Sequence, residues 1–153
     1  GELEQALAAY RLRAANRAGW DEEQWYALFQ VAVLLERLGA PAGDVAEAYL
    51  AAYQARPARA EPLVELARYE RGRERFEVAL LYARAATRLP HPPADALFVD
   101  ADAHAWRSWD EVAISSYWCG RFQEGLAAAE RALAVRPGDE RLIANVQFCR
   151  ERL

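Results

Sequence analysis

The sequence predicts an all-α chain of about eight helices arranged as antiparallel pairs, and three observations lead there. Apolar residues recur at helical spacing along most of the chain. The alternating Val/Ile/Thr runs that mark strands are missing. The same small-residue pattern also returns at fixed offsets, which marks a repeat architecture. LVELARYERGRERFEVALLYARAATRLP (63–90) aligns with WDEVAISSYWCGRFQEGLAAAERALAVRP (109–137). Ala67 matches Ala113, Phe76 matches Phe122, Ala79 matches Gly125 and Ala86 matches Ala132, all at an offset of 46 residues. An earlier copy runs from Trp25 through Gly39 to Pro57, with Ala32 lying 35 residues before Ala67 and Pro57 lying 33 before Pro90. The unit is a helix pair of about 34 residues.

Each element follows from a stripe and a break. Leu3, Leu7, Tyr10 and Ala14 form one face of a helix near 2–18, the second helix of a partial repeat over 1–19. Leu38-Gly39-Ala40-Pro41 separates helices near 21–38 and 42–55, which make repeat 1 (20–57). Ala55-Arg56-Pro57 and Leu89-Pro90 bound repeat 2 (58–90), with helices near 60–72 and 75–88. Cys119-Gly120 divides repeat 3 (104–137) into helices near 104–119 and 122–135. Pro137-Gly138-Asp139 is a stop followed by a cap, and it opens a closing helix near 139–152 within the segment 138–153. Leu142, Val146, Cys149 and Leu153 form that helix's stripe, and Leu142, Ile143 and Val146 are expected to cover the last repeat. The offset of 46 exceeds the repeat length by about twelve residues, which defines an insertion over 91–103.

Close packing gives the pattern its physical sense. Small residues midway in each first helix (Ala32, Ala67, Ala113) and early in each second helix (Ala46, Ala79, Gly125) let backbones approach, while Phe76 and Phe122 fill the space beside them. This resembles the tetratricopeptide repeat family over about residues 20–153, which implies a right-handed solenoid folding as a single domain, 1–153. The copies depart from the family pattern at two turns: Gly39-Ala40-Pro41 carries an extra residue or two, and Glu74 takes the turn position while Gly72 sits early. WYALFQVAVLLERLG, YQARPARAEPLVELARY and WRSWDEVAISSYWCGRFQEGL are also similar to the helical extension that follows the catalytic domain in a group of bacterial family 2 glycosyltransferases. That resemblance implies a helical module attached to a sugar-transferring enzyme whose nucleotide-sugar site lies on a separate, upstream domain.

Composition narrows the function. A net charge of -4 offers no electrostatic footprint for nucleic acid or an anionic membrane, and all 19 cations are arginine. Two cysteines thirty residues apart, Cys119 and Cys149, form neither a zinc motif nor a disulfide framework and read as core thiols. No membrane span or secretory signal is visible, so the expected compartment is the cytoplasm. A chain that lacks methionine and opens at Gly1 is expected to be a piece of a longer protein.

Two places are candidates for function. FVDADAHAW (98–106) sets Asp100, Asp102 and His104 at metal-ligand spacing, but Asp-x-Asp chemistry needs a strand end, and the stretch reads better as a loop. There Asp100 or Asp102 caps the next helix while Leu97, Phe98 and Val99 pin the loop. The other candidate is a groove formed by successive first helices. Arg107, Asp110, Ile114, Tyr117 and Trp118 face it from repeat 3 and Arg68 and Arg71 from repeat 2, with Trp109, Val112, Ala113 and Ser116 on the core face. Its charges are expected to form local ion pairs, and its aromatics to anchor a partner. Ser108, Ser115, Ser116 and His91 have no catalytic context, and no phosphate loop is present. The expectation is therefore a non-catalytic module without cofactor that binds a protein or peptide, or a further copy of itself. The alternatives are an enzymatic or metal-binding domain built on Asp100, Asp102 and His104, and a self-assembly module that stacks end to end.

Overall fold

A computed structural model describes residues 1–16, 18, 20–94 and 96–153. Among them are eight α-helices and no strand: α1 (Glu2–Ala15), α2 (Asp21–Arg37), α3 (Ala42–Ala55), α4 (Glu61–Gly72), α5 (Phe76–Thr87), α6 (Ser108–Trp118), α7 (Phe122–Val135) and α8 (Glu140–Arg150). No helix among the described residues is long and apolar enough to cross a membrane. The chain divides into two compact units, one of residues Gly1–Pro62 with Pro92–Val99, the other of Leu63–His91 with Asp100–Leu153.

In the first unit α1 packs on α2, and α2 on α3. Leu7, Trp25, Ala32, Val45, Tyr49 and Ala52 are buried. Trp25 stacks on Phe29 with ring centroids 5.6 Å apart, and the Tyr49 hydroxyl donates to Glu36 Oε2 at 2.8 Å. The helix expected to reach residue 18 leaves helical geometry at Asn16, whose side chain accepts the Ala18 N–H at 3.0 Å, while Arg17 and Gly19 lie outside the described residues. Leu3 is exposed rather than part of the buried stripe.

In the second unit α5, α6, α7 and α8 pack in succession, and α6 also meets α8. The core joins Ala67 of α4, Leu80 and Ala83 of α5, Val112 and Ala113 of α6, Ala128 and Ala129 of α7, and Val146 of α8. Gly125 shows how close the backbones come: a Cβ there would lie 3.1 Å from Cys149 Sγ and 3.2 Å from the Ala113 carbonyl oxygen. Trp109 is only half-buried and lies under the Arg131 guanidinium, 4.3 Å from the ring centroid. On α8, Leu142, Val146 and Cys149 are buried, but Ile143 and Leu153 are not. Ile143 points away from the packed stripe, and Leu153 lies past the helix end at Arg150.

Three helix ends share one turn. The N–H of Ala40, Arg75 and Arg121 bonds the carbonyl five residues back (Leu35, Glu70, Ser116), and Gly39, Glu74 and Gly120 have φ of 68°, 59° and 72°. This is the left-handed helix stop that glycine adopts without strain. The capping residues behave as their chemistry requires. Asp139 Oδ1 accepts the N–H groups of Arg141 and Leu142, and Asp100 Oδ1 those of Asp102 and Ala103. The expected helix from 104 therefore begins earlier, at 101, and a π-helical stretch, Ala103–Arg107, leads into α6. Part of the 91–103 insertion, Asp95, lies outside the described residues.

Candidate docking groove

The groove lies wholly in the second unit. Arg68 and Arg71 of α4, Arg107 of the π-helical stretch, and Asp110, Ile114, Tyr117 and Trp118 of α6 all line one concavity of about 660 Å³. Its far wall is α8, through Arg141, Asn145, Phe148 and Cys149. Repeat equivalence explains the lining: Arg68 and Arg71 precede Ile114 and Tyr117 by 46 residues, while Arg141 and Phe148 follow Arg107 and Ile114 by 34. The same helical face thus recurs on three helices.

Its charges are compensated within the protein. Arg71 forks onto the buried Glu111 carboxylate (Nε–Oε2 2.7 Å, Nη2–Oε1 3.1 Å). Arg141 grips Asp110 through both oxygens, and the Asn145 amide donates to Asp110 Oδ1 at 3.0 Å. Arg68 bonds Glu65 at 2.7 Å, and Arg107 bridges Glu65 and Asp100. Burial pushes the Glu111 carboxyl above its ordinary range, and the Arg71 pair only partly opposes this. Burial also pushes the Glu65 carboxyl up, but Arg107 and Arg68 together outweigh it and hold that group below the usual range. The hydrogen bond to Glu111 keeps the Arg71 guanidinium protonated even more firmly than usual.

The surface left open is apolar and aromatic. Trp118 is 62% exposed and Phe148 54% exposed. Trp118 stacks on Phe76 at 5.4 Å, and Tyr117 meets the Trp118 edge at 5.6 Å. A rigid aromatic already held by its neighbours loses little side-chain freedom when it is covered. Ser108, Ser115 and Ser116 are buried in helix packing rather than presented to the groove. Cys149 is buried at the groove's base, Cys119 is half-buried beside the core, and burial raises both thiols.

The acidic stretch is organised differently from a metal site. One Asp100 oxygen caps the helix, and the other holds Arg107 at 2.7 Å. Asp102 is exposed, and His104 is buried with its ring 5.6 Å from that of His91. Among the described residues no three His, Cys, Asp or Glu side chains are grouped to hold a metal ion.

The loop's anchoring departs from expectation in part. Phe98 does anchor it, its ring stacked on Tyr26 with centroids 4.3 Å apart, but Leu97 is exposed and the chain is pinned there by its backbone as well. Arg59 donates to the carbonyls of both residues at 2.9 Å, and Glu22 accepts the Leu97 N–H. No periodicity singles out Glu22 and Arg59, because the loop groups that they hold lie 75 and 38–39 residues away in sequence. Set beside known proteins, the chain matches no family model, and no curated protein is significantly similar to it.

Proposed function

We propose that this chain is a non-catalytic interaction module without a cofactor, a right-handed solenoid of antiparallel, tetratricopeptide-like helix pairs that holds a protein or peptide partner in the groove of its second unit. The observation that carries this is the contrast within the groove. Its arginines and carboxylates satisfy one another, while Ile114, Tyr117, Trp118 and Phe148 line a concavity of about 660 Å³. Such a surface gains most by covering apolar side chains, and aromatic residues at the centre of an interface contribute most of its affinity. The likeness to glycosyltransferase extensions supports, as context, a cytoplasmic enzyme that the module serves by docking an acceptor or by holding copies together.

Selection of displayed peptides against the folded chain, followed by calorimetry, tests this. Selected peptides are expected to carry an aromatic or aliphatic anchor and to bind about tenfold or more weakly to Trp118→Ala and to Ile114→Glu. Selection of no peptide, or affinities untouched by both substitutions, would overturn it. Titration with Mn²⁺ or Zn²⁺ separates off the metal-binding alternative. Saturable micromolar binding abolished by Asp102→Ala would establish that alternative.

A further inference from the structure

The first unit contains a cluster of buried charged and aromatic side chains around Arg59. Arg59 is 1% exposed, lies 3.8 Å over the Trp25 ring and forks onto Glu61, with Nη2–Oε1 at 2.8 Å. Its outward N–H groups meet two successive carbonyls, Nη1 bonding Leu97 O and Nη2 bonding Phe98 O, each at 2.9 Å. Glu22, also buried, accepts the Leu97 N–H on one oxygen and holds Arg56 at 3.2 Å with the other. Tyr26 stacks on the Phe98 ring with centroids 4.3 Å apart.

These contacts read a peptide. Three backbone groups of two adjacent residues and one aromatic face are recognised, while the Leu97 side chain contributes no ring or polar contact and stays 39% exposed. Phe98 meets the site with φ of 56°, the left-handed region that a bulky side chain disfavours. The loop is held through its main chain and the Phe98 ring, and its backbone is left-handed at Phe98. Buried charged groups face the loop's main chain, and such groups are costly to leave without hydrogen-bonding partners.

We propose that Glu22, Tyr26 and Arg59 form a peptide-reading site that Leu97–Phe98 occupies in cis and that an external peptide segment bearing an aromatic residue occupies when the loop leaves. The tether gives the loop an effective concentration of about millimolar. The left-handed Phe98 works against it, so a segment that reaches the same groups from an ordinary backbone conformation has the advantage.

The test compares the full chain with a triple variant, Leu97→Gly, Phe98→Ser and Val99→Gly, using a capped peptide of residues 96–101 (ALFVDA) as the probe. NMR titration follows the Arg59 Nε–H and Trp25 indole N–H resonances. Saturable shifts in the triple variant are expected, with an affinity about tenfold or more above that of the unaltered chain, because its site is vacated. Adding Arg59→Lys, which keeps the charge but loses the fork, should abolish them. Three results would each overturn the proposal: no saturable shift in a folded triple variant up to the millimolar range, equal affinity in both chains, or binding that survives Arg59→Lys. A triple variant that fails to fold would also sink it, since the loop would then be a strut and not a displaceable ligand.

Discussion

Glu74 shows what one residue can cost. It sits at φ 59°, where the two equivalent turns have Gly39 and Gly120, and nothing but its Cβ opposes that conformation. A left-handed backbone costs a residue with a side chain about 1–2 kcal/mol. Glycine's added freedom in the unfolded chain takes back about 0.4–1 kcal/mol. Glu74→Gly should therefore raise stability by about 0.5–1 kcal/mol, read as a higher urea midpoint with unchanged slope. This position was legible in the sequence, because the offsets that align Ala32, Ala67 and Ala113 also align 39, 74 and 120. Asp100 was legible too, since a carboxylate before a helix has a standard use. Arg59 and Glu22 were not, because the loop carbonyls and N–H that they hold come near them only in the folded chain.

Among the elements, helices were legible to within a few residues and their orientations less so. Leu142 and Ile143 are neighbours of equal hydrophobicity, yet only Leu142 is buried. The offset of 34 shows why. Leu142, Val146 and Cys149 correspond to Ser108, Val112 and Ser115, buried in both helices. Ala113 and Ser116, which lie under α7, correspond to Gln147 and Arg150, and Arg150 is tied to Glu130 at 2.8 Å. That face of α8 thus carries long side chains where α6 has small ones, and Ile143 is exposed. The π-helical stretch left no mark in composition. The helix crossing at Gly125 makes the element-scale prediction. Gly125→Ala gains up to about 1 kcal/mol of helix propensity. Forcing a methyl against the Ala113 carbonyl and Cys149 typically costs about 1–3 kcal/mol, so a net loss in melting temperature is expected. Gly43→Ala, near the start of α3 with nothing within 4 Å, should instead gain stability in the same measurement.

At the scale of the whole molecule, the all-α class was legible from periodicity, but the division into two compact units was not, because periodicity reports neighbours along the chain. Electrostatics belongs to this scale as well. Every side-chain cation is an arginine, effectively always protonated, so acid rather than alkali dismantles the ion pairs. Glu65 is the clearest case. Its pKa in the folded protein lies below the ordinary carboxylate value of 4.5, so its contribution is fully present above about pH 4.5 and is lost as pH falls through the lowered folded value. Glu65→Gln should be less stable than the parent chain at pH 7, with the gap closing toward pH 3. Urea unfolding across that range checks it, and a gap that persists at the acid end would refute it. The absence of lysine has a chemical consequence too. No side chain in these 153 residues carries a primary amine. A bifunctional reagent that joins two amines can therefore form no bridge between two side chains of these residues.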